Sequence, residues 1–185
     1  MAERVCPWWM GYFLANPLRR LMLKPESLLT PYIREGMTVL EPGPGMGFFT
    51  LPVSRMVGPA GKVVAVDIQP KMLQSLRRRA QKAGTSERVE TRLSRPDSLG
   101  IGDLSGKVDF VLAFAVVHEL PSMESFFREA AAALKAGATM LLAEPAGHVN
   151  QAKFQDELKA AQDAGLEVAS QPAIRSSLAA VLRKG

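Results

Sequence analysis

The sequence predicts an α/β fold: an open, mostly parallel seven-stranded sheet with an antiparallel last strand and helices on both faces. Three observations predict it. From Met37 onward, short apolar runs rich in β-branched residues alternate with longer segments of helical period, the pattern of parallel strands joined by crossover helices. The run 108–116 is apolar almost throughout, as a strand covered on both faces must be. The last two strand-like runs, 166–169 and 177–182, are separated by too few residues for a helical crossover, so they pair as a hairpin and reverse the final strand.

The elements follow in order. Ahead of the sheet, residues 1–36 crowd Trp8, Trp9, Tyr12, Phe13, Leu14 and Leu18, which we read as one or two short helices forming an N-terminal cap over the sheet's edge; since a large apolar patch needs a partner, the cap is a lid over a ligand, with plain packing and a membrane-surface or partner helix as the alternatives. The core then runs from 37 to 185 in one domain. Its first strand is 38–41, followed by the turn Pro42-Gly43-Pro44-Gly45-Met46-Gly47 and a helix over 48–57, with Pro52 near the start where its missing N–H costs least. The second strand, 62–66, ends at Asp67. Pro70 opens a helix on Met72, Leu73 and Leu76, which Gly84 stops. A third strand runs 88–93 and a fourth 108–116. Ser122 caps the next helix, whose Met123, Phe126, Phe127, Ala130 and Leu134 follow the helical stripe, with Gly137 past its end. Strand five is 139–143. The last helix, 150–164, shows Phe154, Leu158 and Ala161 on one face and stops at Gly165.

Composition narrows the classes. In 185 residues, 47% hydrophobic and 22% charged content matches a globular chain and excludes disorder as the main state. A single cysteine, Cys6, closes no internal disulfide and is too few for a structural zinc site or a thiolate trap for a soft metalloid; no metal site is expected, and the chain reads as cytoplasmic. No apolar run approaches the roughly 20 residues needed to cross a bilayer, and residues 5–18, broken by Pro7, Gly11 and Pro17, lack a signal peptide's basic lead. A formal charge of +5 permits an anionic partner without requiring one.

The chemistry concentrates in Glu41 to Gly47 and in Asp67. Glycines at 43, 45 and 47 let the backbone turn tightly while a ligand approaches without Cβ interference. A dinucleotide fingerprint would need glycine at 48, where Phe48 stands. Pro42 and Pro44 remove N–H donors from the turn, a poor phosphate cradle, and Glu41 puts a carboxylate where a pyrophosphate would be repelled. Asp67, at the end of the neighbouring strand, can accept from both ribose hydroxyls. A nucleoside with an ammonium group and no phosphate, S-adenosylmethionine, fits this set better than any dinucleotide.

With the glycine motif, Asp67 and the fourth-strand run in order, the chain resembles the class I S-adenosylmethionine-dependent methyltransferases of the small-molecule type from about Met37 onward, whose core is Rossmann-like. The resemblance implies that Glu41 holds the methionine amino group, Gly43 and Gly45 line the methionine, Gly47 completes the turn, Asp67 takes the ribose, and Ile68 and Met72 flank the adenine, with Phe114 at the fourth strand's end joining the set. Where the family often carries an acid in a D-x-x-x-L pattern after the third strand, Arg95 stands four before Leu99, which leaves Asp97, the nearest acid, or a backbone carbonyl to accept from the adenine amino group.

The fourth strand ends in Phe114-Ala115-Val116-Val117-His118-Glu119-Leu120-Pro121. The N-L-P-Y or D-P-P-Y tetrad of nucleic-acid amino-methylating enzymes is absent there, which argues against a nucleic-acid partner; Arg77, Arg78, Arg79 and Lys82 read as a solvated helix face. His118 is a candidate general base for a hydroxyl or thiol, or a pocket-shaping residue. Glu144, read as structural, and His148 share the same rim. The expected reaction is direct in-line transfer of a methyl group to a small apolar or aromatic acceptor, in a pocket that is shallow or completed by a second copy in a homodimer. The alternatives are a non-catalytic S-adenosylmethionine-binding or partner module, or an RNA or protein methyltransferase.

Overall fold

A computed structural model describes residues 23–185, so the expected lid residues Trp8, Trp9, Tyr12 and Phe13 lie outside the described residues. The chain divides into two compact units, one ending at Ser94 and the other spanning Arg95–Gly185.

The first unit contains helix α1 (Pro25–Leu29), strand β1 (Thr38–Pro42), helix α2 (Thr50–Met56), strand β2 (Lys62–Asp67), helix α3 (Pro70–Lys82) and strand β3 (Val89–Leu93). Its strands lie in the order β3-β2-β1, all parallel, with Pro42 opposite Val66 and Asp67 opposite Leu93. This register sets the tips of β1 and β2 side by side. Val63, Val64, Ala65 and Val66 are buried, as a central parallel strand demands. Pro70 begins α3, and the helix buries Met72, Leu73, Leu76 and Ala80, with Leu76 and Ala80 meeting Leu51 and Ala65 in one apolar cluster.

The helix expected over 48–57 is shorter than the sequence suggests. Gly45 and Gly47 take φ of +53° and +86°, outside the helical region, so the turn persists until α2 begins. Gly47 also has a packing role: a Cβ there would come within 2.5 Å of Leu76 Cδ1. Gly47→Ala is therefore expected to destabilise the chain by about 2–4 kcal/mol through backbone strain and overpacking together, read as a fall in thermal midpoint. An unchanged midpoint would show that the turn relaxes freely.

The second unit contains β4 (Val108–Phe114), a 3-10 turn Val117–Glu119, α4 (Met123–Ala133), β5 (Leu134–Pro145), α5 (Gln151–Asp163), β6 (Leu166–Ser170) and β7 (Ser177–Lys184). The order is β4-β5-β7-β6. β4 and β5 are parallel, and β7 is antiparallel to both β5 and β6, so the reversed strand of the expected hairpin sits inside this set and β6 lies beyond it. Ser122 caps α4 by accepting from Ser125 N at 3.1 Å, and Asn150 caps α5 by accepting from Lys153 N at 2.9 Å.

Two boundaries differ from expectation. Leu134, expected in the helical stripe, already has extended backbone and pairs with Val108; its burial is that of a strand residue, and β5 runs through Gly137. The fourth strand stops at Phe114 because Ala115 takes φ +57°, a left-handed conformation that ends strand geometry. Among the described residues, no helix is long and apolar enough to cross a membrane.

Candidate functional site

In the first unit, the register brings Glu41, the glycine turn and Asp67 together at the strand tips. Glu41 is 4% exposed, and among the described residues its Oε2 has no hydrogen-bond partner. Burial pushes its carboxyl up to about 7; the neighbouring Thr50 hydroxyl pulls it down and the charge of Asp67 pushes it up again. Thr50 Oγ1 itself completes no hydrogen bond of acceptable geometry, so its influence on Glu41 is one of proximity. A buried carboxyl oxygen without a donor is costly. A cation placed against Glu41 would remove that cost and favour the charged form.

The glycines divide their labour. Gly43 N–H donates to Val66 O at 2.8 Å, which locks the turn onto β2. A Cβ on Gly45 would meet nothing within 4 Å among the described residues, so this is the face open to a ligand. Gly47, expected with the cofactor set, faces Leu76. Arg79 Nη1 donates to Met46 O at 2.6 Å and ties α3 to the turn. Phe48, at the position where a dinucleotide fingerprint needs glycine, is buried and packs edge-on against Phe49, with ring centroids 5.0 Å apart.

Asp67 is 8% exposed, and its Oδ1 accepts from Gln69 N at 2.8 Å, so one oxygen fixes the turn into α3. Ile68 stands exposed beside it, whereas Met72 is buried on α3. In the second unit, Asp97 is exposed in the turn bridging Arg95 and Ser98, and Phe114 is half-buried at the end of β4. Glu129 of α4 holds the segment after Asp97 by accepting from Leu99 N at 3.0 Å and Ser98 Oγ at 3.1 Å.

The second unit also carries a polar cluster. Glu144, fully buried on β5, accepts at Oε1 from Val116 N at 3.1 Å and Val117 N at 2.8 Å, and its Oε2 pairs with His118 Nδ1. The expectation that Glu144 is structural is therefore half of its role: the same carboxyl shapes the turn and orients the imidazole. With Nδ1 engaged, His118 presents Nε2, which lies 3.9 Å from Glu119 Oε1. Burial pulls the His118 pKa down, but the hydrogen bond and charge of Glu144, with Glu119 and Glu157, leave it raised overall. The His148 ring lies 5.5 Å from that of His118.

Two residues of these clusters escaped the sequence reading. Thr50 gives no signal of its own in the sequence. Glu157 does, because it falls in the apolar stripe of Phe154, Leu158 and Ala161, where a glutamate breaks the pattern. Among the described residues, no group of three or more His, Cys, Asp or Glu side chains could hold a metal ion.

A methyltransferase domain family model matches residues 33–178. The chain belongs to that family. This methyltransferase domain is 32% identical over 149 residues to a ubiquinone biosynthesis O-methyltransferase of Paramagnetospirillum magneticum, covering 72% of the chain and 56% of the relative. It is 32% identical over 124 residues to an arsenite methyltransferase of Halobacterium salinarum, covering 67% of the chain and 30% of the relative. The chain thus spans from under a third to just over half the length of these curated relatives. Among solved structures, a SAM dependent methyltransferase from Aquifex aeolicus matches with a TM-score of 0.87 at 25% identity, covering 98% of this chain and 100% of the other. That likeness bears out the Rossmann-like class with seven strands, the last antiparallel.

Proposed function

We propose that this methyltransferase domain binds S-adenosylmethionine at the β1 and β2 tips and transfers its methyl group to a small acceptor that must lose a proton, such as a hydroxyl. The observation that carries the cofactor is Glu41: a buried carboxyl oxygen awaiting a donor, next to a glycine turn open at Gly45. These features fit the amino acid end of the cofactor, and Asp67 suits the ribose. Bound there, S-adenosylmethionine supplies a methyl group made electrophilic by its sulfonium sulfur. Glu41 would neutralise the ammonium, and Asp67 would fix the adenosine through the ribose. Ile68 and Met72 would flank the adenine. His118, held by Glu144, would take the acceptor's proton. Positioning and exclusion of water would contribute most of the acceleration.

The arsenite methyltransferase relative does not move the acceptor toward a metalloid, because the sequence holds one cysteine and a soft metalloid needs thiolates. A cytoplasmic location and an apolar or aromatic acceptor belong to the same reading.

Calorimetry with S-adenosylmethionine and with NAD tests the cofactor; tighter binding of NAD would overturn it. A radiolabelled methyl donor screened against phenolic, lipidic and RNA fractions tests the acceptor, and binding without transfer to any of them would make the chain a sensor. Asp67→Ala is expected to weaken S-adenosylmethionine binding by roughly 1.5–3 kcal/mol, the worth of hydrogen bonds to a charged group. An unchanged affinity would place the ribose elsewhere.

A further inference from the structure

In the first unit, α3 exposes Lys71, Gln74, Arg77, Arg78, Gln81 and Lys82, so its outer face is basic or amide throughout and carries no acid. Solvation alone does not select this pattern. The other helix of the same length, α5, exposes Lys153 and Lys159 together with Asp156 and Asp163, the mixed signs that a water-facing helix ordinarily carries. The helix dipole does not select it either, because it favours cations in the last turn, where Arg79 and Lys82 stand, and disfavours Lys71 in the first.

The cations of this face are not answered from within the chain. Arg78 and Lys82, four apart on the helix, repel each other, and among the described residues neither has a hydrogen bond or an ion pair. The acids on the elements packed against α3 are engaged or turned to water. Asp67 of β2 holds Gln69 N, Glu90 of β3 holds Lys62 and Arg92, and Glu87, in the 3-10 turn Ser86–Arg88, is exposed. The excess runs through the whole unit: residues 1–94 contain fourteen Lys and Arg against seven Asp and Glu, whereas residues 95–185 contain nine against eleven. Such a field suits an extended anionic surface.

The composition of the same unit says which surface. Residues 1–22 hold both tryptophans of the chain, with Tyr12 and Phe13, between Arg4 on one side and Arg19 and Arg20 on the other. Indole and phenol rings, apolar bodies with a polar tip, concentrate at membrane–water interfaces, and basic residues beside them meet anionic headgroups. Reversible membrane attachment needs two such signals together, an apolar insertion and a cationic patch.

We propose that the first unit docks on an anionic lipid surface, with the outer face of α3 against the headgroup phosphates and the aromatic side chains of residues 1–22 entering the interface. An apolar acceptor carried in a bilayer would then reach the domain without crossing water.

The test is binding of the purified chain, without methyl donor or acceptor, to vesicles of phosphatidylcholine alone and of phosphatidylcholine with roughly one-third phosphatidylglycerol. The chain should bind the anionic vesicles, bind the neutral ones weakly, and leave the anionic ones as salt rises from about 0.1 M to about 0.5 M. Arg78→Gln with Lys82→Gln should weaken binding about tenfold or more. Lys153→Gln with Lys159→Gln, which removes two exposed cations from the second unit, should change it less than about twofold. Because the chain has two tryptophans, Trp8 and Trp9, their emission should move to the blue on anionic vesicles. Absence of binding to anionic vesicles, equal losses in the two double variants, or binding with the emission unmoved would each overturn the proposal. So would single-stranded RNA that binds more tightly, per phosphate, than the anionic vesicles.

Discussion

Replacing Glu41 with Gln is expected to weaken S-adenosylmethionine binding by about 2–4 kcal/mol, the usual cost of removing one partner from a buried charge pair, while making the free protein less sensitive to alkaline pH. The two effects come from one cause. Glu41 titrates near 7 when folded and near 4.5 when exposed, so its contribution to stability is complete below 4.5 and is lost as pH rises through 7. By pH 8 the ionised carboxylate costs the fold on the order of 3 kcal/mol, a penalty that an amide cannot incur. A bound ammonium favours the ionised form, so wild-type affinity should rise from pH 6 to pH 8 and binding near pH 7 should release a fraction of a proton. Calorimetry in two buffers of different ionisation enthalpy reads the proton, and thermal melts at pH 5 and pH 8 read the stability. An affinity unchanged in Glu41→Gln would remove the ammonium from this position.

Much of this arrangement is legible from the order of residue types. Val63 to Val66 and the run after Val108 announce buried strands because covered strands need apolar side chains on both faces. Pro70 and Ser122 mark helix starts because each solves a local backbone problem. Glu41 is legible as well, since a carboxylate ahead of proline-bearing glycines excludes a pyrophosphate. The rest depends on tertiary contacts that no local pattern encodes. Leu134 satisfies the helical stripe and the strand equally, and its pairing with Val108 decides between them. Gly47 carries the same signal as Gly45, yet only the folded chain shows that one faces Leu76 and the other meets nothing among the described residues. The pairing of Glu144 with His118 spans 26 residues, and nothing in either segment's composition points to the other.

The second large effect is expected at that pair. Glu144→Gln can still accept from Val116 and Val117, so the turn should keep its shape. Its amide nitrogen would then face His118 Nδ1, and the imidazole would have to offer a lone pair there. The proton would move to Nε2, leaving a ring of the wrong tautomer to act as a base, a change that costs up to about 10⁴-fold in rate where a carboxylate holds a catalytic imidazole. We expect kcat to fall by roughly 10² to 10⁴ with S-adenosylmethionine affinity unchanged, because Glu41 and Asp67 are untouched. Adding His118→Ala to Glu144→Gln should cost little more, as residues acting as one unit are not additive. Since the wild-type ring is held above its usual pKa by Glu144, the wild-type rate should climb with pH through that raised midpoint as the neutral base appears, and the double variant should lose the climb. A Glu144→Gln enzyme that keeps its rate, or a double variant whose losses simply multiply, would assign His118 to shaping the turn and leave the acceptor's proton to another group.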